Sequence, residues 1–319
     1  MDPIYCKVVT PMFLAGTDKQ TLEFRAPSIR GALRWWFRAV AGGYTSLTEL
    51  KRMESRLFGD SGNTGASSLI VRVWADAFDK TQKAPMLPHK TGNQQALTEC
   101  VPTGTLFGVS LNHSPYCSNP LAVETATALF YLLAAHGGLG RRSRRGFGAF
   151  QPVDWKPEDE KAVKRLIKEK VQNARQAVKA FIDAHPPSTP PTFGANAVSD
   201  FPVLHPDVAT IRIGEAREWD PFIKALMSKC SNIKGFSRRV LGSGSPRQAS
   251  TLVVSVIKTK DGSLVPIYSQ FYSNTVVRVV NKRPSLTPTV QRSAANNEFA
   301  QIEALPAKVS SSLDSVTIV

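Results

Sequence analysis

Apolar residues in the first third of the chain recur at helical spacing. At 100° per residue Ile29, Ala32, Leu33, Trp36, Phe37, Ala39 and Val40 fall on one side, with Arg30, Arg34 and Arg38 on the other. The pattern predicts an amphipathic helix starting at Ser28, after a loop over residues 10–27. Residues 4–9 (IYCKVV), 68–74 (SLIVRVW), 105–111 (TLFGVSL) and 147–153 are short β-rich runs and predict strands, with a second helix over 46–57. Residues 123–136 are apolar on nearly every side, which predicts a helix buried all round. The order β, α, β, β, α, β is the split βαβ plan of a ferredoxin-like domain, shared by many RNA-binding modules.

A further helical stripe places Val163, Leu166, Ile167, Val171, Ala174, Val178, Phe181 and Ile182 on one face and stops at Pro186-Pro187, with Pro190-Pro191 close behind. Prolines end a helix and stiffen a connection, so the domain boundary is expected here. Residues 56–73 and 239–256 also align without a gap, pairing Gly59 with Gly242, Ala66 with Ala249, Ser67 with Ser250, Leu69 with Leu252, Val71 with Val254 and Val73 with Val256. A duplicated helix-loop-strand unit accounts for the match. The expected fold class is α+β: two ferredoxin-like (RRM-like, split βαβ) domains joined by a helical and Pro-rich connection. The first spans 1–155, the connection 156–199 and the second domain 200–281. A Ser/Thr/Pro/Ala/Asn-rich, low-complexity tail over 282–319 is expected to be loosely held.

Charge changes the picture from fold to partner. Forty Lys and Arg stand against 25 Asp and Glu in 319 residues, a formal net charge of +15 that attracts polyanions. Nucleic acid is the expected partner. Cys6, Cys100, Cys117 and Cys230 form no CxxC pair and the five histidines lack zinc-site spacing, so neither a metal nor a disulfide framework is expected. No cofactor is expected either: the chain carries no GxxxxGK[ST] and no GxGxxG. The start MDPIYCKVV has no signal-peptide pattern and the longest nearly unbroken apolar stretch, 126–135, is too short for a bilayer, so the expected location is cytoplasmic and away from membranes.

Two constellations carry the candidate chemistry. Arg30, Arg34 and Arg38 would repel one another unless anions lay along them, and no acidic residue lies between Glu23 and Glu49. An RNA backbone fits that row. Trp35 borders it, where it could stack on a base or pack against a neighbouring domain or partner, whereas Trp36 points into the core. Ser28 reads as a helix N-cap at a terminus able to help hold a phosphate. The second constellation is the glycine-rich segment 137–148, GGLGRRSRRGFG, with Arg141, Arg142, Ser143, Arg144 and Arg145 at its centre. Glycines let backbone amides approach a phosphate while guanidinium forks surround it. In the second half Lys234, Arg238 and Arg239 are the basic candidates, with solvent-facing residues the alternative. His136 reads as a helix C-terminal residue, and Asp18 and Asp60 as turn formers. No catalytic residue is assigned.

Four segments, TPMFLAG (10–16), APSIRGALRWWFRAV (26–40), LFGD (57–60) and GGLGRRSRRGFG (137–148), together resemble the RAMP superfamily of CRISPR proteins. The likeness is to the subunit at the head of type III-B Cmr effectors, near the 3′ end of the guide RNA. It is strong over residues 8–150 and architectural beyond. It implies two ferredoxin-like domains and a non-catalytic role: binding guide and target RNA, contacting other RAMP subunits and capping the filament. A guide-processing endoribonuclease, which shares the fold and glycine-rich loop and commonly uses a histidine, is the competing expectation. A structural adaptor without RNA contact is the third.

Overall fold

The computed structural model describes residues 2–18, 21–60, 62, 66–115, 119–186, 201–206, 208–232, 243–244, 247–248, 250–271 and 314–316. In chain order the elements are β1 (Ile4–Val8), α1 (Ala26–Ala41), α2 (Leu47–Phe58), β2 (Leu69–Ala75), β3 (Lys83–Pro85), β4 (Leu97–Glu99), β5 (Leu106–His113), α3 (Pro120–His136) and β6 (Phe150–Pro152). They continue with α4 (Glu160–Asp183), β7 (Ala209–Ile213), α5 (Trp219–Asn232), β8 (Ser243–Gly244), β9 (Arg247–Gln248), β10 (Leu252–Lys258), β11 (Leu264–Phe271) and β12 (Asp314–Val316).

Two four-stranded sheets, antiparallel throughout, organise the chain, in the orders β2-β5-β1-β6 and β10-β11-β7-β12. Strands β7, β10, β11 and β12 thus take the places of β1, β2, β5 and β6. The two segments matched in the sequence lead into β2 and β10, the corresponding edge strands. Their paired serines make the same local turn: Ser67 Oγ donates to Leu69 O at 2.9 Å and accepts from Leu69 N at 3.0 Å. Ser250 Oγ donates to Leu252 O at 2.7 Å and accepts from Leu252 N at 3.1 Å.

The all-round apolar character of α3 follows from its position. Its residues share one buried core with α1, α4 and the inner faces of both sheets, from Phe107 and Phe150 on one side to Val253, Ile257, Ile267 and Phe271 on the other. A helix enclosed on every side has no use for a polar face. The second sheet is covered on its opposite face too, where Leu252, Val254, Val256 and Tyr268 pack with Phe222, Ile223 and Leu226 of α5 and with Phe13 and Phe147. Burial on both faces explains why β10 (LVVSVIK) reads as a nearly unbroken apolar run and why β11 is buried along its whole length.

Three features refine the expectations. Helix α4, which opens the expected connection, packs its stripe into the first core, where Phe181 meets Phe37 edge to face at 6.0 Å. Aromatic and aliphatic side chains at regular helical spacing are buried more favourably against α1 and α3 than left on a spacer. The segment expected as a loose tail contributes β12, whose Ser315 pairs with Arg212 of β7, because an otherwise open edge of backbone donors and acceptors takes up a strand. Helix α1 begins at Ala26, with Arg25 in extended conformation at its cap, so Ser28 lies inside the first turn. Pro27, whose fixed φ suits a first helical turn, moves the start upstream.

Candidate nucleic-acid interface

Two of the α1 arginines, Arg34 and Arg38, have an acidic partner, supplied by α2 rather than by a nearby stretch of sequence. Arg38 forms a two-pronged pair with Glu54, Nη2 to Oε1 at 2.6 Å and Nε to Oε2, and Arg34 Nη1 lies 3.8 Å from the same carboxylate. Arg34 also donates through Nη2 to the carbonyls of Phe58, at 3.1 Å, and Gly59. Arg30 Nη2 donates to Leu69 O at 3.0 Å. Hydrogen bonding to Glu54 raises the Arg38 guanidinium above its ordinary range, while burial and then Arg34 lower Arg30. The row therefore ties α1 to the end of α2 and the start of β2. Its geometry satisfies terminal carbonyls that a helix leaves unpaired, and Glu54 offsets the charge of Arg34 and Arg38, whereas Arg30 has only a carbonyl partner and still feels Arg34.

Trp35 resolves to the second of its two readings. Its ring meets Phe271 of β11 edge to face at 5.5 Å and Trp36 at 4.7 Å, and the Arg144 guanidinium lies 5.0 Å from its centroid. Trp36 is buried as expected, against His136 and Phe271.

The glycine-rich loop is divided. Its second half docks along the free edge of β10: Gly146 N donates to Val254 O at 2.9 Å and Val254 N to Arg144 O at 3.2 Å. Arg144 Nη1 donates to Ser250 O at 2.7 Å and Arg145 Nη1 to Ser250 Oγ at 2.9 Å. These two arginines, expected as RNA contacts, are engaged within the protein: they latch one half of the chain to the other and extend the second sheet. A buried strand edge with unpaired backbone groups is costly, and the loop satisfies it. The glycines serve backbone packing rather than approach to a phosphate. Gly148 sits at φ +67°, and a Cβ there would lie 2.0 Å from Leu139 O.

The first half of the loop differs. Arg141 is exposed and bridges to Phe13, Ser143 is half-buried, and Arg142 is held at φ +59°, a conformation that non-glycine residues rarely adopt. Arg142 Nε is buried without a hydrogen-bond partner, as is His89 Nδ1. Burial and Arg145 lower the Arg142 guanidinium. Burial, Lys90 and Arg142 lower the His89 imidazole. This is a corner of positive charge in which Arg142 Nε is a donor left over.

Asp18 accepts from Thr21 N at 2.9 Å and Asp60 from Gly62 N at 3.0 Å, turn roles as expected. Lys234, Arg238 and Arg239 lie outside the described residues, as does Cys117. Among the described residues no cluster suited to a metal ion occurs, and no helix is long and apolar enough to cross a membrane.

His136 is fully enclosed, with Nδ1 2.8 Å from Ser269 Oγ and Nε2 unpartnered. Burial pushes its pKa down to about 3. On acidification the unfolded chain takes up this proton before the native state does, so native stability falls as pH drops from about 6.5 towards 3, by up to about 1.4 kcal/mol per pH unit. Urea midpoints at pH 7.5 and pH 5 should show the loss, and His136→Phe should flatten it. An equally steep pH dependence in a folded His136→Phe protein would assign the effect to other groups.

The open face of the first sheet, where Tyr5 and Trp74 stand exposed on β1 and β2, is not legible in the sequence. In short strands an exposed aromatic is indistinguishable from a buried one until the register is known.

Residues 5–97 match the model of the RAMP superfamily. The chain is 28% identical over 176 residues to the CRISPR system Cmr subunit Cmr1-2 of Pyrococcus furiosus, covering 46% of this chain and 91% of that protein. It is 32% identical over 144 residues to Cmr1-1 of the same organism, 41% of each chain, and so spans less than half of that relative. In fold it is similar to the crystal structure of apo Cmr1 from Pyrococcus furiosus, with a TM-score of 0.64 at 18% identity over 98% of both chains. It is also similar to a chain of the type III-B Cmr-β structure bound to cognate target RNA and AMPPnP in the presence of ssDNA. There the TM-score is 0.51 at 10% identity, over 93% of this chain and 98% of that one.

Proposed function

We propose that the chain is a RAMP-superfamily CRISPR subunit of the type III-B Cmr kind and, within it, a non-catalytic RNA-binding subunit. In this reading it contacts guide and target RNA near the guide 3′ end, caps the head of the filament beside other RAMP subunits, and works in the cytoplasm. Both halves are read as ferredoxin-like domains, a reading supported by the shared strand order and the repeated serine turn.

The observation that carries RNA binding is the Arg141–Arg142 corner. A strained arginine with an orphaned buried donor, next to His89 and Lys90, is a place where a phosphate oxygen supplies the missing acceptor. The non-catalytic reading is supported by His136, the histidine beside the loop. It is walled off from solvent and engaged with Ser269, so it cannot reach a 2′-hydroxyl.

The test separates the two halves of the loop. Arg141→Ala/Arg142→Ala should weaken single-stranded RNA binding on the order of 10-fold at low salt and reduce the salt slope by about 1.4, with Tm unchanged. Arg144→Ala/Arg145→Ala should lower Tm instead. Wild-type affinity and slope in a folded Arg141→Ala/Arg142→Ala protein would remove the corner from the RNA site. A wild-type chain that binds no RNA at any salt would leave the adaptor reading, and RNA cleavage abolished by His136→Ala would restore the ribonuclease.

A further inference from the structure

The first sheet packs one face on α1 and α3 and leaves the other open, and that face does not have the composition of a merely solvated surface. Among the described residues six large apolar or aromatic side chains are exposed, and four of them, Tyr5 (52%), Trp74 (39%), Leu106 (39%) and Val153 (42%), lie on or beside this face. The register brings the aromatic pair together: Tyr5 of β1 and Trp74 of β2 both pair with Gly108 of β5 from opposite sides. A Cβ at Gly108 would fall 2.5 Å from the Trp74 ring, so the indole lies down across the glycine. The two rings meet edge to face at 6.4 Å. Arg72 stands exposed on the same side of β2, two residues before Trp74.

The face runs on into a groove of about 540 Å³ between the two sheets, whose lining includes Leu106 and Val153 together with Lys7, Lys156, Lys258 and Lys260. Lys260 is paired with Glu158 at 2.6 Å. Among the described residues Lys7, Lys156 and Lys258 have no ion pair. The groove is held in shape: Gln151 Oε1 accepts from Lys258 N at 2.8 Å and Gln151 Nε2 donates to Lys258 O at 3.2 Å, clamping β6 of one sheet to the end of β10 in the other.

We propose that this surface is a track for single-stranded RNA, with bases stacking on Trp74 and Tyr5 and the backbone passing along Lys7, Lys156 and Lys258. Every base presents a π-face, so an aromatic pair beside unpaired lysines binds such a strand without reading its sequence. An acidic protein segment would match the lysines but has no need of two exposed rings. The proposal rests on the RNA-binding reading and uses none of the loop arginines.

The experiment uses the full chain, a uridine 15-mer labelled with fluorescein, and the same oligonucleotide carrying 5-iodouridine for photocrosslinking. Tyr5→Ala/Trp74→Ala should weaken binding about 30-fold with little change in salt slope, since stacking rather than counterion release is lost. Lys7→Ala/Lys156→Ala/Lys258→Ala should flatten the slope, and crosslinks should map to the peptides of Tyr5 or Trp74. Should the aromatic variant fail to fold, the lysine variant and the crosslinks decide alone. Wild-type binding by the folded variants with no crosslink on this face would overturn the track, while an effect of Arg141→Ala/Arg142→Ala would keep the RNA reading. Loss of RNA binding in none of them, with a wild-type chain that itself binds no RNA, would overturn both. Protection of this face by a co-purified protein subunit but not by RNA would overturn it in favour of a protein contact.

Discussion

Trp36→Ala should lower the free energy of unfolding by about 3 to 5 kcal/mol, the range for removing a large aromatic side chain from a packed core. Trp36 is 2% exposed, and its ring meets His136 at 5.8 Å, Phe271 at 6.2 Å and Trp35 at 4.7 Å, so its loss opens a void where α1, α3 and β11 converge. Little could collapse into that space, because its walls belong to separate helices and a sheet. Trp35→Ala should be destabilising too, by roughly 1 to 3 kcal/mol, since the ring loses the Phe271 contact and the Arg144 cation above it. Affinity for RNA per folded molecule should stay as in the wild type. Urea unfolding by circular dichroism alongside RNA titration checks both. A Trp35→Ala protein of wild-type stability that bound RNA poorly would return Trp35 to the RNA surface.

Gly148→Ala should cost more than about 3 kcal/mol, the territory of strained backbone combined with overpacking. The residue is at φ +67°, and the added carbon would stand 2.0 Å from the carbonyl oxygen of Leu139, a backbone atom that cannot swing aside as a side chain would. The loop must then shift, and with it the strand-like contact to β10 through Gly146 and Val254. Gly31→Ala is the internal control. Gly31 is exposed within α1, and an added methyl group there would meet nothing within 4 Å, so alanine should stabilise by about 0.5 to 1 kcal/mol through helix propensity. Thermal unfolding of the two variants should move in opposite directions. A Gly148→Ala protein melting with the wild type would mean that the loop tolerates rearrangement and does not hold the two halves together.

The sequence alone determined the helices α1 to α4 and the strands of the first sheet: the spacing of apolar residues reports which face of α1 or α4 must leave water, the all-round apolar run of α3 reports full burial, and short β-rich runs mark the strands. The ungapped match of residues 56–73 with 239–256 located the repeat, and Ser67 and Ser250 make the same turn ahead of the matched strands. What the polar faces meet was decided by tertiary structure. Glu54 neutralises Arg38 only because α2 folds back along α1, and nothing within one helix announces a carboxylate sixteen residues away. Arg144 and Arg145 find Ser250 more than a hundred residues on, because β10 lies at a sheet edge that no local pattern reveals. Tyr5 and Trp74 become a pair through Gly108, a register set by the whole sheet. An arginine, a serine hydroxyl or an indole edge is satisfied equally well by water, RNA or protein, and only packing between distant segments chooses among them.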